Sequence, residues 1–314
     1  MLSILNAFRD RRARRPHLSV VVVSFNMRRE LPRTLHSLSA RYQTNINRNE
    51  YEIILVDNGS DVPWAPRDLA HIEAELKIIN LAETARPSPA FAVNVGLKEA
   101  RGQLIGVMID GARIVTPGML DACRRAAGLY PRPVIAVLGF HLGMEKQSIS
   151  VQKGYTQAVE DRLLDSIGWP QDGCRLFDIS VLADSSGNGW LGPLTESNAL
   201  FLQAELWEEL GGYDEEFQSA GGGLVNLDTY GRALAQPKTQ LVTILGEGCF
   251  HQVHGGISTN SPHSGPQNEW HDEYRRIRGR SFRQPSATPV LFGTLPPNAL
   301  RHMGNTLRAA AQAL

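Results

Sequence analysis

Five short β-branched runs, at residues 19–24, 51–56, 76–80, 104–109 and 134–139, set the expected architecture of this 314-residue chain. Between them, segments 30–42, 89–100 and 117–129 carry apolar residues every three to four positions, the spacing of a helix with one buried face. Proline stands near the starts of these segments and glycine near several ends. Strand and helix in alternation predict an α/β fold, with a mainly parallel central sheet flanked by helices. On such sheets ligands bind beyond the carboxyl ends of the strands, so the residues there carry the functional information.

After Phe140 the rhythm loosens. Helices are expected near 203–210 and 224–234 and a strand at 240–245, and 255–267 reads as a lid-like loop rich in Gly, Ser, Pro and His. A charged helix around 269–278, a proline-bearing connector and an Ala-rich helix form a C-terminal helical extension. At the other end, residues 1–17 combine a few apolar residues with a run of arginines. They read as a basic leader and leave peripheral membrane contact open. No run reaches the ~18 apolar residues of a membrane span. Lys and Arg, 32 in all, balance 32 Asp and Glu, which argues against a nucleic-acid partner. The three cysteines are too few for a disulfide framework and point to the cytoplasm.

The first strand ends at Ser24-Phe25-Asn26 and the second at Asp57-Asn58-Gly59-Ser60-Asp61, which puts polar groups where the sheet opens. A carboxylate there can accept hydrogen bonds from a base or a ribose. Asp57, Asn58 and Gly59 also fit a simple turn. Further on, Val93-Asn94-Val95-Gly96 lies in the second helical segment, and the fourth strand stops at Asp110-Gly111-Ala112-Arg113.

Through these four ordered motifs the chain resembles the family 2 glycosyltransferases, nucleotide-sugar-dependent enzymes of the GT-A fold. The resemblance continues through Asn198-Ala199-Leu200-Phe201, Leu210-Gly211-Gly212-Tyr213-Asp214, the glycines 221–223, and Asp228 with Arg232. It implies a GT-A domain at 18–258, followed by the loop and extension at 259–314. It also implies a nucleotide site at Ser24, Phe25, Asn26, Asp57, Asn58, Asn94 and Asp110, with Asp57 on the base. The departing nucleoside diphosphate needs cationic help, and hard oxygen ligands suit Mn²⁺ or Mg²⁺.

Three departures from the family pattern bear on chemistry. Asp110 remains from the Asp-x-Asp motif, but Ala112 replaces the next carboxylate and Arg113 follows it. Val93 stands where an arginine is common, with Arg86 a substitute. Val225-Asn226 stands where the family has its acidic pair, and an amide cannot take a proton from a sugar hydroxyl at neutral pH. The general base is then expected first from Asp228, with Glu196 and Glu215 weaker candidates; Asp228 also fits a helix cap. His251 and His254, three apart beyond the expected strand, could converge with Asp110 on one cation, His254 matching the family better. Trp190 is open as a sugar platform or a core residue. Together these features imply sugar transfer from a nucleoside diphosphate donor, UDP most often, to a glycan or other hydroxyl acceptor. The alternatives are a catalytically impaired nucleotide-sugar-binding scaffold and a nucleotidyltransferase.

Overall fold

Every residue of β1 (Leu18–Ser24) is buried, as a Val-rich strand covered on both faces should be. Each of its valines contributes about 1.5–3 kcal/mol by leaving water. A computed structural model describes residues 18–256 and 266–312. The leader at 1–17 and most of the expected lid, 257–265, lie outside the described residues.

Along the chain follow α1 (Glu30–Ser37), β2 (Tyr51–Asp57), β3 (Glu75–Asn80), α2 (Ala90–Glu99), β4 (Leu104–Met108), β5 (Arg113–Val115), α3 (Met119–Ala126) and β6 (Pro133–Leu142). Then come α4 (Gln157–Ser166), β7 (Ser180–Leu182), β8 (Leu200–Gln203), α5 (Ala204–Leu210), α6 (Val225–Ala235), β9 (Gln240–His251), α7 (Pro266–Arg278), β10 (Val290–Gly293) and α8 (Met303–Gln312). Among the described residues the strands form one sheet of order β10-β9-β6-β8-β4-β1-β2-β3, with β5 on β9 and β7 on β6. The pairs β1–β2, β1–β4, β2–β3, β6–β9 and β9–β10 are parallel. Strand β8 runs antiparallel to β4 and β6. Two apolar clusters, one on each face, sandwich the sheet. The expected mainly parallel α/β fold is thus observed.

Three elements differ from expectation. Helix α1 stops at Ser37 rather than residue 42, because Ser37 and Ser39 hydroxyls bond back to the carbonyls of Thr34 (2.8 Å) and His36 (2.7 Å). Such local bonds compete with the helical ladder. Strand β9 continues past 245 to His251. A left-handed Gly246 (φ 78°) absorbs a kink, and the register with β6 shifts before resuming at Leu138↔Gly248. The C-terminal extension is not purely helical, since β10 adds a parallel edge strand beside β9.

Trp190 is a core residue. It is fully buried, its Nε1–H donates to the Ile244 carbonyl at 3.0 Å, and its ring packs near Phe140 and Phe177. A sugar has no access to it.

Candidate active site

The parallel register aligns Ser24 with Asp57, so the loops after β1 and β2 leave the sheet side by side. They are tied together. Asn26, held left-handed at φ 53°, donates its backbone N–H to Ser60 Oγ (2.8 Å), and its amide exchanges hydrogen bonds with Asp61. Asn is among the few residues that tolerate that conformation, because its short amide bonds locally. Asp57 is 1% exposed. One of its oxygens accepts from Ser60 N–H and O–H (3.0 and 2.6 Å), the other from Trp64 N–H (3.3 Å). Asn58 bonds the Ser24 carbonyl through its N–H and Arg86 through its amide. Phe25, by contrast, is a half-exposed aromatic at the rim, and the buried Ser24 hydroxyl has no partner.

Strand β4 delivers Asp110 to the same edge, and β9 delivers His251 and His254. Asp110 Oδ2 lies 2.9 Å from His251 Nε2, and Oδ1 lies 3.7 Å from His254 Nε2. The two Nε2 atoms are 3.1 Å apart. Among the described residues these three form a group whose ligand atoms all lie within 4.8 Å of one another. Gln147 fixes the imidazole tautomer. Its Nε2–H donates to the His251 carbonyl (3.1 Å), so its Oε1 faces His251 Nδ1 and Nδ1 carries the proton. The Nε2 lone pair of His251 therefore points at a carboxylate oxygen and a second imidazole nitrogen. His251 Nε2 and Asp110 Oδ2, two acceptors 2.9 Å apart, are reconciled by a proton on His254 Nε2 or by a cation among the three, so the residues fit a divalent ion.

The local electrostatics agree. Burial would raise the Asp110 carboxyl, but His254, His251 and Arg113 outweigh it and hold it well below the usual carboxylate range. Burial, followed by the charge of Arg113, lowers His251 to about 4, so its imidazole is neutral at pH 7. For His254, burial is outweighed by the Asp110 carboxylate, which raises it.

A second layer fixes the segment just past β9, between the two histidines. Gln252 N–H donates to the Ala112 carbonyl (2.8 Å), and its amide donates to the Glu30 carbonyl (3.1 Å). Val253 N–H donates to Glu160 Oε2 (2.7 Å). Glu160 is fully buried, and burial raises its carboxyl to about 7 although Arg29 lies 3.2 Å away. Gln147, Glu160 and Glu30 were not legible from the sequence. They reach the site from positions far along the chain, and none sits in a recognisable motif.

Glu196, Asn226 and Tyr213 form a second polar group. Asn226 Nδ2–H donates to Glu196 Oε2 (2.6 Å), and Asn226 Oδ1 accepts from the Tyr213 hydroxyl (2.8 Å). The β4–β8 register pairs Val107 with Leu200. The chain before Leu200 and the chain after Val107 therefore leave the sheet at the same end. Ser197 Oγ is anchored on Val137 N–H at 3.0 Å, so Glu196 lies at the same edge of the sheet as Asp110.

The remaining sequence candidates are engaged elsewhere. Asn94 bonds Tyr213 and Glu215 and pins that loop. Arg86 pairs with Glu215 at 2.7 Å and lies over the Phe91 ring. Asp228 is buried inside an ion-pair cluster: Arg232 Nε reaches one oxygen (2.8 Å), and Arg278 bridges both (2.7 and 2.6 Å). Gly221, Gly222 and Gly223 are all left-handed, and a Cβ on Gly223 would meet Trp270 and Glu273 of α7 at 3.2 Å. Glu273 accepts from the N–H groups of Gln218 and Ser219. The glycine run lets this helix dock closely.

Residues 19–128 match the sequence model of Glycosyl transferase family 2, which bears out the resemblance over that range. No curated protein matches the sequence. The fold is similar to that of S. aureus TarS 1–349 in complex with UDP-GlcNAc, at 17% identity and TM-score 0.53, covering 83% of this chain and 65% of that one. At that identity the likeness speaks for the fold, a GT-A type. A further structure of S. aureus TarS 1–349 gives 16% identity and TM-score 0.49 over 72% of this chain, which spans 57% of the TarS fragment. The mannosyltransferase PcManGT of Pyrobaculum calidifontis, in complex with GDP-Man and Mn²⁺, gives 17% identity and TM-score 0.48 over 99% of this chain and 81% of that one.

Proposed function

We propose that this chain, a family 2 glycosyltransferase in its residues 19–128, transfers a sugar from a nucleoside diphosphate to an acceptor hydroxyl with inversion at the anomeric carbon. The observation that carries the reading is the convergence of Asp110, His251 and His254 at the strand edge where the β1 and β2 loops also open. The TarS fragment of similar fold was solved with UDP-GlcNAc, which supports a UDP-sugar as donor. The acceptor would be a glycan or another hydroxyl compound, in polysaccharide or glycan assembly. Free cysteines at 123, 174 and 249 suit a reducing compartment, and the cytoplasm is the proposed location.

Each part of the site then has a role. Ser24, Phe25, Asn26 and Asn58 line the base and ribose end, with Asp57 shaping the loop that receives the base. Asp110, His251 and His254 would hold the ion. Two imidazoles beside one carboxylate favour Mn²⁺ over Mg²⁺, whose preference is for oxygen. When bound, the ion offsets charge on the departing diphosphate. Glu196 is the proposed base, because Asp228 already faces two guanidinium groups. As the acceptor oxygen bonds the anomeric carbon and the bond to the diphosphate breaks, the acceptor proton passes to Glu196. Asn226 keeps that carboxylate in place.

The test is UDP release from a panel of UDP-sugars, with and without Mn²⁺. Metal-dependent release is expected, and Asp110→Asn should reduce it by about 10²-fold or more, because one oxygen ligand and its charge are lost. Tight UDP binding with no release from any donor would instead identify a scaffold. Pyrophosphate production from a nucleoside triphosphate would identify a nucleotidyltransferase.

A further inference from the structure

Arg113 occupies a position that a metal pocket does not need. It stands on β5 directly opposite His251 in the antiparallel pairing with β9. Its Nη2 lies 3.4 Å from Asp110 Oδ2, the same oxygen that meets His251 Nε2 at 2.9 Å. The residue is only 9% exposed, and its Nε is buried with no partner. Arg113 N–H is fixed on Thr34 Oγ1 (3.0 Å), and the preceding Ala112 carbonyl accepts from Gln252. These bonds fix the backbone of Arg113, and its largely buried side chain carries a guanidinium beside Asp110.

The charge sum is unusual. Asp110 is the sole carboxylate among the three converging residues, and Arg113 cancels it; neither imidazole adds negative charge in any protonation state. Glu30, a further carboxylate whose charge reaches His254, is itself paired with Arg29 at 3.0 Å. A free divalent ion would then meet little net attraction and a cation beside its oxygen ligand. A diphosphate changes this balance. It brings two or more negative charges, which can face the ion and Arg113 together, and the guanidinium fork suits phosphate oxygens.

We propose that Arg113 bars the divalent ion from the empty pocket and admits it only with a diphosphate, so that ion and nucleotide bind as a coupled pair. This rests on the nucleotide-sugar reading above. Coupling of this kind is reciprocal: each ligand must tighten the other by the same factor.

Mn²⁺ uptake measured by the loss of its free-ion electron paramagnetic resonance signal, with and without UDP, tests the inference. In the wild type, saturating UDP should tighten Mn²⁺ at least about tenfold. Arg113→Gln should bind Mn²⁺ alone at least about tenfold more tightly than wild type and show weaker coupling to UDP. The added Arg113→Gln/His254→Ala change should abolish that gain, and Arg113→Lys, which keeps the charge, should stay close to wild type. UDP binding with Mn²⁺ affinity unchanged in Arg113→Gln overturns this inference alone. Absence of UDP binding to the wild type, with or without Mn²⁺, overturns it together with the donor reading.

Discussion

Glu196 and Asp228 are both acidic side chains near the glycine-rich segment, and their surroundings differ. Glu196 is partly exposed and accepts from two amides, Asn226 at 2.6 Å and Asn198 at 3.3 Å. Asp228 is 3% exposed and meets Arg232 and Arg278. Glu196→Gln is expected to lower UDP release by about 10²–10⁴-fold, the usual weight of a general base, with UDP affinity unchanged in calorimetry. Asp228→Asn should instead leave turnover within about threefold and lower the melting temperature, because two guanidinium groups lose their counter-charge. The reverse pattern would move the base to Asp228. From sequence Asp228 ranks ahead of Glu196, since nothing in its spacing tells that an arginine fifty positions away will reach it.

Strand β9 shows what local pattern can and cannot reveal. Its first half reads as a strand from composition, and Gly246-Glu247-Gly248 hides the rest. In the fold Gly246 makes a kink and Glu247 turns inward, bonding the Thr116 hydroxyl. Burial raises the Glu247 carboxyl to about 7. A carboxyl with a raised folded pKa binds its proton more tightly folded than unfolded. Its contribution is therefore complete below about pH 4.5 and is lost as pH rises through about 7. Glu247→Gln removes that titration, so its melting temperature should gain on wild type between pH 5 and pH 8; a constant difference across that range would refute the assignment. Strands β1, β2, β4 and β6 were legible because burial on both faces demands uninterrupted apolar runs, and edge strand β3 because exposed Glu75 and Lys77 alternate with half-buried Leu76 and Ile78. Strands β5, β7, β8 and β10 were not, since three or four residues carry no usable period. Asp110, His251 and His254 were legible as a converging set, whereas Gln147, which fixes the tautomer of His251, was not.

Across the molecule, the segment after the histidines is fastened back onto the domain. Helix α7 presents Arg278 to Asp228 and Asp214, Glu273 to the loop before α6, and Tyr274 to Phe217. Arg278→Ala leaves Asp228 with Arg232 alone, and a loss of about 2–4 kcal/mol in urea unfolding is expected. A loss below about 0.5 kcal/mol would make the contact a surface ornament. Strand β10 extends the attachment by pairing with the first half of β9, while the far half of β9 ends at His251. One ribbon thus runs from the outer margin of the sheet to His251, which meets Asp110 at 2.9 Å, and side chains along it alternate between faces. Adding or deleting a single residue between Gly248 and His251 would swing the imidazole to the wrong side and offer Phe250 or Gln252 to Asp110. An insertion or deletion here is therefore expected to cost more than one in a peripheral loop, because the spacing itself decides which side chain faces Asp110.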